Sequence, residues 1–559
     1  MIEFNEDKQN RKMADLLKRE EEELVQLLSA KHGIEYVDLT LISINTDALR
    51  LIEEKTAREV KVAGYALINK KVKVAVRNPA DPRLAEILDD INKKGYEPII
   101  SICSTASLEK AWSAYKDLSF AYESKAGSLQ VSSEEIGAIV AKAKGLPEVI
   151  TILKNTLSMK KSYRVSRILE TVIAGGLASN ASDIHIEPEE GYIRLRYRLD
   201  GVLVNVIDFD VETYHLLLSR IKLLSGLKLN IKKDSQDGRF SVHIGTDDIE
   251  IRTSVLPGAY DESIVMRLLN PKSISVPLEE LGIPDKLLKI IVKEIDKPNG
   301  MVLTTGPTGS GKTTTLYAFI KKIHNPTVKI ITIEDPIEYH LPGIVQTQVN
   351  DKGYTFLEGL RSAVRQDPDI LMIGEIRDSE TAAIAINSAL TGHLVFSTLH
   401  TNNAAGSFPR LIDLGVNPKI LSSALSIVLA QRLVRRLCPD CKKEILLEGA
   451  DAISIDKVIN SIYDKTEIPT SDRAKGKIFE PVGCDKCNNT GYKGRLGIYE
   501  GILMNEDMEK VAEYGSSGHD IASASISQGI LTMEQDGIIK VLKGITSLPE
   551  LRRVIEIQD

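Results

Sequence analysis

The constraint that acts most strongly on this chain is the segment Gly306-Pro-Thr-Gly-Ser-Gly311-Lys312-Thr313, set between an apolar run at Met301 to Leu303 and a helical run from Thr314. A strand that turns through three glycines directly into a helix is a βα unit of a parallel sheet, and the spacing fits Gly-x-x-x-x-Gly-Lys-[Ser/Thr]. Glycines let backbone N–H groups close round a phosphate, and the helix N-terminus adds its positive end. Lys312 then reaches the outer phosphates and the Thr313 hydroxyl is a ligand for Mg²⁺. Gly306, Pro307, Thr308, Gly309, Ser310, Gly311, Lys312, Thr313 and Thr314 are therefore the expected contacts of a nucleoside triphosphate.

Later strands are expected to bring acids to the same place. Ile370 to Ile373 runs apolar into Gly374 and Glu375, and Val328 to Ile333 runs into Glu334-Asp335-Pro-Ile-Glu338. In parallel sheets ligands bind at the carboxyl ends of strands, so Glu334, Asp335, Glu338 and Glu375 should converge on the glycine loop. His393 and His400 flank the strand Leu394 to Thr398 and are read as γ-phosphate contacts or as structural histidines with equal weight.

A chain of 559 residues exceeds one core and should hold two to four domains. Alternation near Lys70 to Val76 and a helical stretch from Leu84 to Ile91 give a small mixed domain over 1–122, fronted by a surface helix at 8–30 with Leu16, Leu17, Leu24, Leu27 and Leu28 at helical spacing. Residues 123–160 read as a linker, opening on a polar stretch with Ser and Gly. A second domain over 161–272 contains helix-spaced Val165, Ile168, Leu169, Val172 and Ile173, then alternation from Tyr192 that puts Ile193, Leu195 and Tyr197 on one face and Arg194, Arg196 and Arg198 on the other. A hairpin is expected at 240–244 and 249–255. Residues 273–284 read as a hinge, and 285–559 as an α/β domain of alternating strands and helices. No tandem repeat is visible.

Of five cysteines, four form Cys438-Pro-Asp-Cys441 and Cys484-Asp-Lys-Cys487, within an insert at about 436–492. Four thiolates suit a closed tetrahedral Zn²⁺ site of structural type, against the alternative of a redox pair. Cys103 is left over and should be a buried apolar residue. The row Arg194, Arg196, Arg198 with Arg239, Arg252 and Arg267 is an excess of guanidinium. Arg194 and Arg196 suit a solvated strand face, and the others are candidates for arginine fingers.

Net charge is -7 with pI near 5.9, and aromatics are 5%. That leaves no basic field or stacking platform for nucleic acid. The N-terminus lacks the basic start and apolar run of a signal peptide, and no run of roughly 18 uncharged apolar residues occurs, so the expected location is the cytoplasm.

Taken in order, Ala181-Ser-Asp-Ile-His-Ile-Glu187, Arg198-Leu-Asp-Gly201, Gln236-Asp-Gly-Arg239, the glycine loop, Thr332 to Glu338, Arg365-Gln-Asp-Pro-Asp369 into Glu375-Ile-Arg-Asp378, Thr391 to Asn402, the cysteine pairs and Gly491 to Glu500 resemble the secretion ATPase superfamily of type II secretion and type IV pilus assembly. The likeness covers about 70% of the chain, from about residue 165 to the C-terminus. It implies a multidomain α/β protein in which a PAS-like α+β domain and a RecA-like P-loop domain are joined by a flexible linker, and six copies form a ring with ATP between domains. It also implies Glu338 as catalytic base, Glu375 as the Walker B acid, and Arg198, Arg239 and Arg267 as arginines serving the nucleotide. Lys233 and Ser235 stand where the family has Arg and Pro, and a lysine cannot make the bidentate contact. The cysteine insert resembles the assembly and export branch. Residues 30–100 are similar to an N-terminal domain that in some members binds cyclic di-GMP or docks on a membrane platform, though no Arg-Leu-Gly opening block is present.

The expectation is thus a homo-hexameric cytoplasmic ATPase that uses ATP, Mg²⁺ and Zn²⁺. It would attach peripherally to an inner-membrane platform protein, act indirectly on pilins or pseudopilins, and bind no nucleic acid directly. Pilus assembly is the first reading, the type II secretion pseudopilus the alternative, and a DNA-uptake pseudopilus a remote one. A nucleotide-gated scaffold without hydrolysis is the rival from another class, and Lys312, Glu338 and Glu375 together argue against it.

Overall fold

The computed structural model describes residues 21–557 apart from short gaps, the longest being 116–122, 271–275 and 469–475. Leu16 and Leu17, the turn at 245–246 and the first part of the expected hinge thus lie outside the described residues, while residues 24–31 are helical. Two compact units are present, Met1–Tyr122 and Glu123–Asp559.

The first unit is a four-stranded sheet in the order β1-β4-β3-β2, with β1 Glu35–Tyr36, β2 Val62–Ile68, β3 Lys71–Val76 and β4 Glu97–Ile102. Helices Glu54–Val60, Pro82–Lys93 and Thr105–Ser113 accompany it. Its core joins Val72, Val74, Ile91, Leu108 and Cys103. Cys103 is fully buried, and burial pushes its thiol up to about 12, as befits an inert apolar residue.

The second unit starts with a two-strand ribbon, β5 Glu123–Ser124 and β6 Ser128–Leu129. Residues read as linker then form helices Ser133–Lys142 and Leu146–Leu157. Ile136, Leu146, Val149 and Leu153 enter one core with Ile168, Leu169 and Val172 of the helix Lys161–Ala178. These helices cover a six-stranded antiparallel sheet in the order β10-β11-β12-β7-β8-β9. Its strands are β7 Asp183–Glu189, β8 Tyr192–Leu199, β9 Val202–Phe209, β10 Gln236–Ile244, β11 Asp247–Pro257 and β12 Glu262–Leu269. β8 alternates strictly, with Ile193, Leu195, Tyr197 and Leu199 buried, as its period-two pattern requires.

The C-terminal part of the second unit has a seven-stranded sheet in the order β15-β14-β16-β17-β13-β18-β21. The strands β13 Gly300–Thr305, β14 Ile330–Glu334, β15 Val345–Gln348, β16 Ile370–Ile373 and β17 Leu394–Leu399 run parallel. Helices cover both faces, so β13, β14, β16 and β17 are buried at every position. A long strand β18, Leu425–Leu437, pairs parallel with β13. A short pair, β19 Lys443–Leu446 and β20 Lys477–Glu480, then precedes β21, Tyr492–Leu503, which runs antiparallel to β18. The order reverses at β13, where the chain turns into the glycine loop, and in open α/β sheets the crevice at such a reversal, beyond the carboxyl ends of the strands, is where ligands bind.

Candidate functional site: the phosphate cradle and its surroundings

Leaving β13, the backbone takes positive φ at Gly306 (146°), Gly309 (80°) and Gly311 (92°), then enters the helix Lys312–Ile323. A Cβ at Gly306 would stand 2.6 Å from the Gln431 carbonyl oxygen, so the loop lies directly on β18. Gln431 Nε2 donates to the Ser310 carbonyl at 2.7 Å, bracing the loop from below. Ser310 Oγ and Gln431 Oε1 are buried without a hydrogen-bond partner among the described residues. Lys312 Nζ donates to the carbonyls of Gly306 (2.7 Å) and Pro307 (3.2 Å). Burial brings its pKa down to about 8, with the Glu375 charge acting against the fall and Arg432 adding to it.

A cavity of about 930 Å³ opens above the loop, and Thr308, Lys312, Thr313, Thr314, Glu334, Asp335, Glu338, Glu375 and His400 all line it. The carboxyl ends of three strands do converge. Glu375, after β16, is paired with Arg377 and accepts from His400 Nε2 at 3.2 Å. Thr398 Oγ1 donates to the Gly374 carbonyl at 2.7 Å and fixes the turn that carries Glu375. Asp335, joined to Pro336 by a cis peptide, lies 3.9 Å from Arg377.

Glu334 and Glu338 differ in kind. Glu334 is 2% exposed, and its carboxylate accepts from Tyr317, Thr332 and Gln346. Its lone pairs serve the loop's architecture. Glu338 is held in a ring of opposed charges. Burial raises its pKa, Arg252 and then Arg267 pull it back, and Glu334 adds to the rise. Arg252 Nη1 lies 3.4 Å from Glu338 and its Nη2 donates to the Ile337 carbonyl at 2.6 Å, so β11 of the second domain reaches the acid directly.

Arg198 and Arg267 line the same cavity from β8 and β12, both held by Asp183 at 3.2 and 3.0 Å. Arg198 and Asp183 are cross-strand neighbours, as are Arg267 and Asp183, so one nearly buried carboxylate anchors both guanidinium groups. Arg239 is 70% exposed, lies 3.9 Å from Glu250, and is not among the described residues that line the cavity. His393 also lies elsewhere. It precedes β17 at the amino end of the sheet and pairs with the Ser388 carbonyl at 3.1 Å, opposite the end that carries His400. A histidine at the start of a parallel strand cannot meet a ligand at its end. That leaves the structural alternative for His393.

Sequence reasoning passed over Asp183, Gln431, Arg432 and Arg377. Gln431-Arg432 carried a signal, because two polar residues interrupt the apolar run Ile427 to Ala430 in a strand that reads as core. Asp183 carried none beyond its place in the Ser182 to Glu187 block.

Cys438, Cys441, Cys484 and Cys487 bring their sulfurs within 4.8 Å of one another. The pairs 438–484, 441–487 and 484–487 are 3.9, 3.8 and 3.7 Å apart. A tetrahedron with metal–sulfur bonds of about 2.3 Å has edges of about 3.8 Å, so the donor set fits Zn²⁺. Backbone N–H groups of Cys484 and Gly491 donate to Cys487 Sγ at 3.2 Å each, which favours the thiolate a metal requires.

The family model described as "Type II/IV secretion system protein" matches residues 158–553, and an MshEN domain matches 32–120. Type II secretion system protein E of Pseudomonas aeruginosa is 40% identical over 78% of this chain and 84% of its own. The type IV pilus assembly ATPase PilB of Myxococcus xanthus is 34% identical over 95% of this chain and 91% of its own. The Legionella pneumophila ATPase DotB, 21% identical, has a similar fold over 69% of this chain and 94% of its own, with a TM-score of 0.50. A glycine cradle on β18, acids from the ends of two strands, and these matches together place the chain in the type II/IV secretion system protein family, as an ATPase that uses ATP and Mg²⁺ and carries a tetracysteine site for zinc.

Proposed function

We propose that this protein is the hexameric motor of type IV pilus assembly, working in the cytoplasm against an inner-membrane platform protein and polymerising pilins through it. One observation carries the choice of system. The pilus assembly relative aligns over 95% of the chain, N-terminal domain included, whereas the P. aeruginosa secretion relative aligns over 78%. In this reading the glycine loop and Lys312 hold the β- and γ-phosphates. Thr313 and Glu375 would hold Mg²⁺, which would supply charge to offset that of the phosphates. Glu338 orients the attacking water, and Arg198 and Arg267 supply charge at the γ-phosphate. His400 positions Glu375.

The type II secretion pseudopilus is the second reading, since its relatives have the higher identity. Disrupting the gene separates the two. Loss of surface pili with secreted proteins unchanged is expected, while loss of secreted proteins with pili intact overturns the choice. Loss of DNA uptake alone would assign the motor to that process instead.

A further inference from the structure

The N-cap residue of the helix Leu146–Leu157 is Gly145, which has no side chain to accept from the first turn. The acceptor comes from 342 residues further on, where Asn488 Oδ1 takes the Leu146 N–H at 2.7 Å. Asn488 directly follows the ligand Cys487 and has φ 53°, a left-handed residue whose side chain is aimed by the knuckle's own turn. A second contact lies close by. The Gly494 N–H donates to Asp200 Oδ2 at 2.9 Å. Asp200 (φ 48°) and Gly201 (φ 85°) form the two-residue turn from β8 to β9, the kind in which both central residues need positive φ. Arg198 stands two residues before Asp200, and its Nη1 donates to the Gly201 carbonyl at 3.3 Å, so turn and guanidinium move together. Between the two contacts, Asn488 and Gly494 help to line a cavity of about 550 Å³ that reaches Gly311 and Thr314 of the glycine loop.

We propose that the tetracysteine knuckle is a latch between the two domains of the second unit. Asn488 supplies the missing cap of the helix Leu146–Leu157, and Gly494 fixes Asp200 and thereby presents Arg198 to the phosphate cavity. The last step rests on the reading of Arg198 as serving the nucleotide. Asn488 and Asp200 are positioning residues. The four thiolates, closed round zinc, keep both contacts in register with the ATPase domain.

Both residues sit at positive φ, so the test uses glycine, which keeps the backbone and deletes the acceptor, against a polar residue that keeps both. In full-length protein with zinc content measured, Asn488→Gly should speed amide exchange in the peptide 145–157 by about fivefold, the effect of a lost cap, with zinc retained. Asn488→Asp should match the parent, and Cys484→Ser should reproduce the faster exchange. Asp200→Gly should lower kcat about tenfold with KM for ATP within about twofold, and Asp200→Asn should restore kcat. Unchanged exchange in Asn488→Gly overturns the latch even if Cys484→Ser fails to fold. Faster exchange in Asn488→Gly with an unaltered kcat in Asp200→Gly leaves the Asn488 contact standing and overturns the Gly494–Asp200 contact as what presents Arg198.

Discussion

Glu334 and Glu338 lie within one loop, and the difference in their partners decides which can act on water. Three donors occupy Glu334, while Glu338 faces the cavity with Arg252 on one oxygen. Glu338→Gln is expected to lower turnover by at least ~100-fold while ATP affinity stays near the parent's, because the carboxylate acts in the transition state and not on bound phosphate. Single-turnover phosphate release with parallel nucleotide titration measures both; hydrolysis at the parent rate would move the base elsewhere. The pH profile follows from the same contacts. Only the carboxylate form of Glu338 can orient and deprotonate water, and burial raises its pKa. The acid limb of kcat should therefore lie at higher pH than for an ordinary glutamate. Arg252 opposes that rise, so Arg252→Ala should move the limb higher still. A limb that stays in place would show that Arg252 does not set the charge of Glu338.

Elements whose order is fixed by nearby residues were legible in the sequence, and those held by distant partners were not. The cysteine knuckles declare themselves by spacing alone, and the metal prediction belongs to them: one zinc per chain, held through chelator washing and contributing on the order of 10 kcal/mol to the insert's folding. Metal analysis below about half an equivalent, or a Cys484→Ser variant with unchanged Tm, would count against it. Helices Ser133–Lys142 and Leu146–Leu157 escaped notice because Ser and Gly before them suggest a break, and because the second has its cap on another domain. The floor of the phosphate cradle escaped for the same reason, since Gln431 meets Ser310 across 121 residues. The strand-loop-helix of the cradle is local, and it was read almost residue by residue.

At the scale of the whole chain, the site is assembled from two domains. Arg198, Arg252 and Arg267 reach it from β8, β11 and β12, while the cradle and acids belong to the seven-stranded sheet. Arg198→Ala and Arg267→Ala are expected to bind ATP and hydrolyse it at least ~100-fold more slowly, a modest share of what arginine fingers contribute where measured. Arg194, paired with Glu189 at 3.1 Å, is the control and should stay close to the parent when changed to Ala. Parent rates in all three variants would leave Arg198 and Arg267 without a part in hydrolysis. The ribbon of β18 and β21 has a further consequence. The middle of β18 carries Gln431 under the phosphates, its far end runs into Cys438, and antiparallel pairing with β21 covers nearly the whole length. A strand of 13 residues spans about 40 Å and presents its side chains alternately to opposite faces. Such a strand works as a ruler with a parity. Adding one residue between Gln431 and Cys438 would lengthen it by only about 3.3 Å but turn over every side chain beyond the insertion, whereas adding two would keep the faces and change the distance alone. The spacing between the phosphate floor and the zinc knuckle is therefore held both as a length and as an odd or even count.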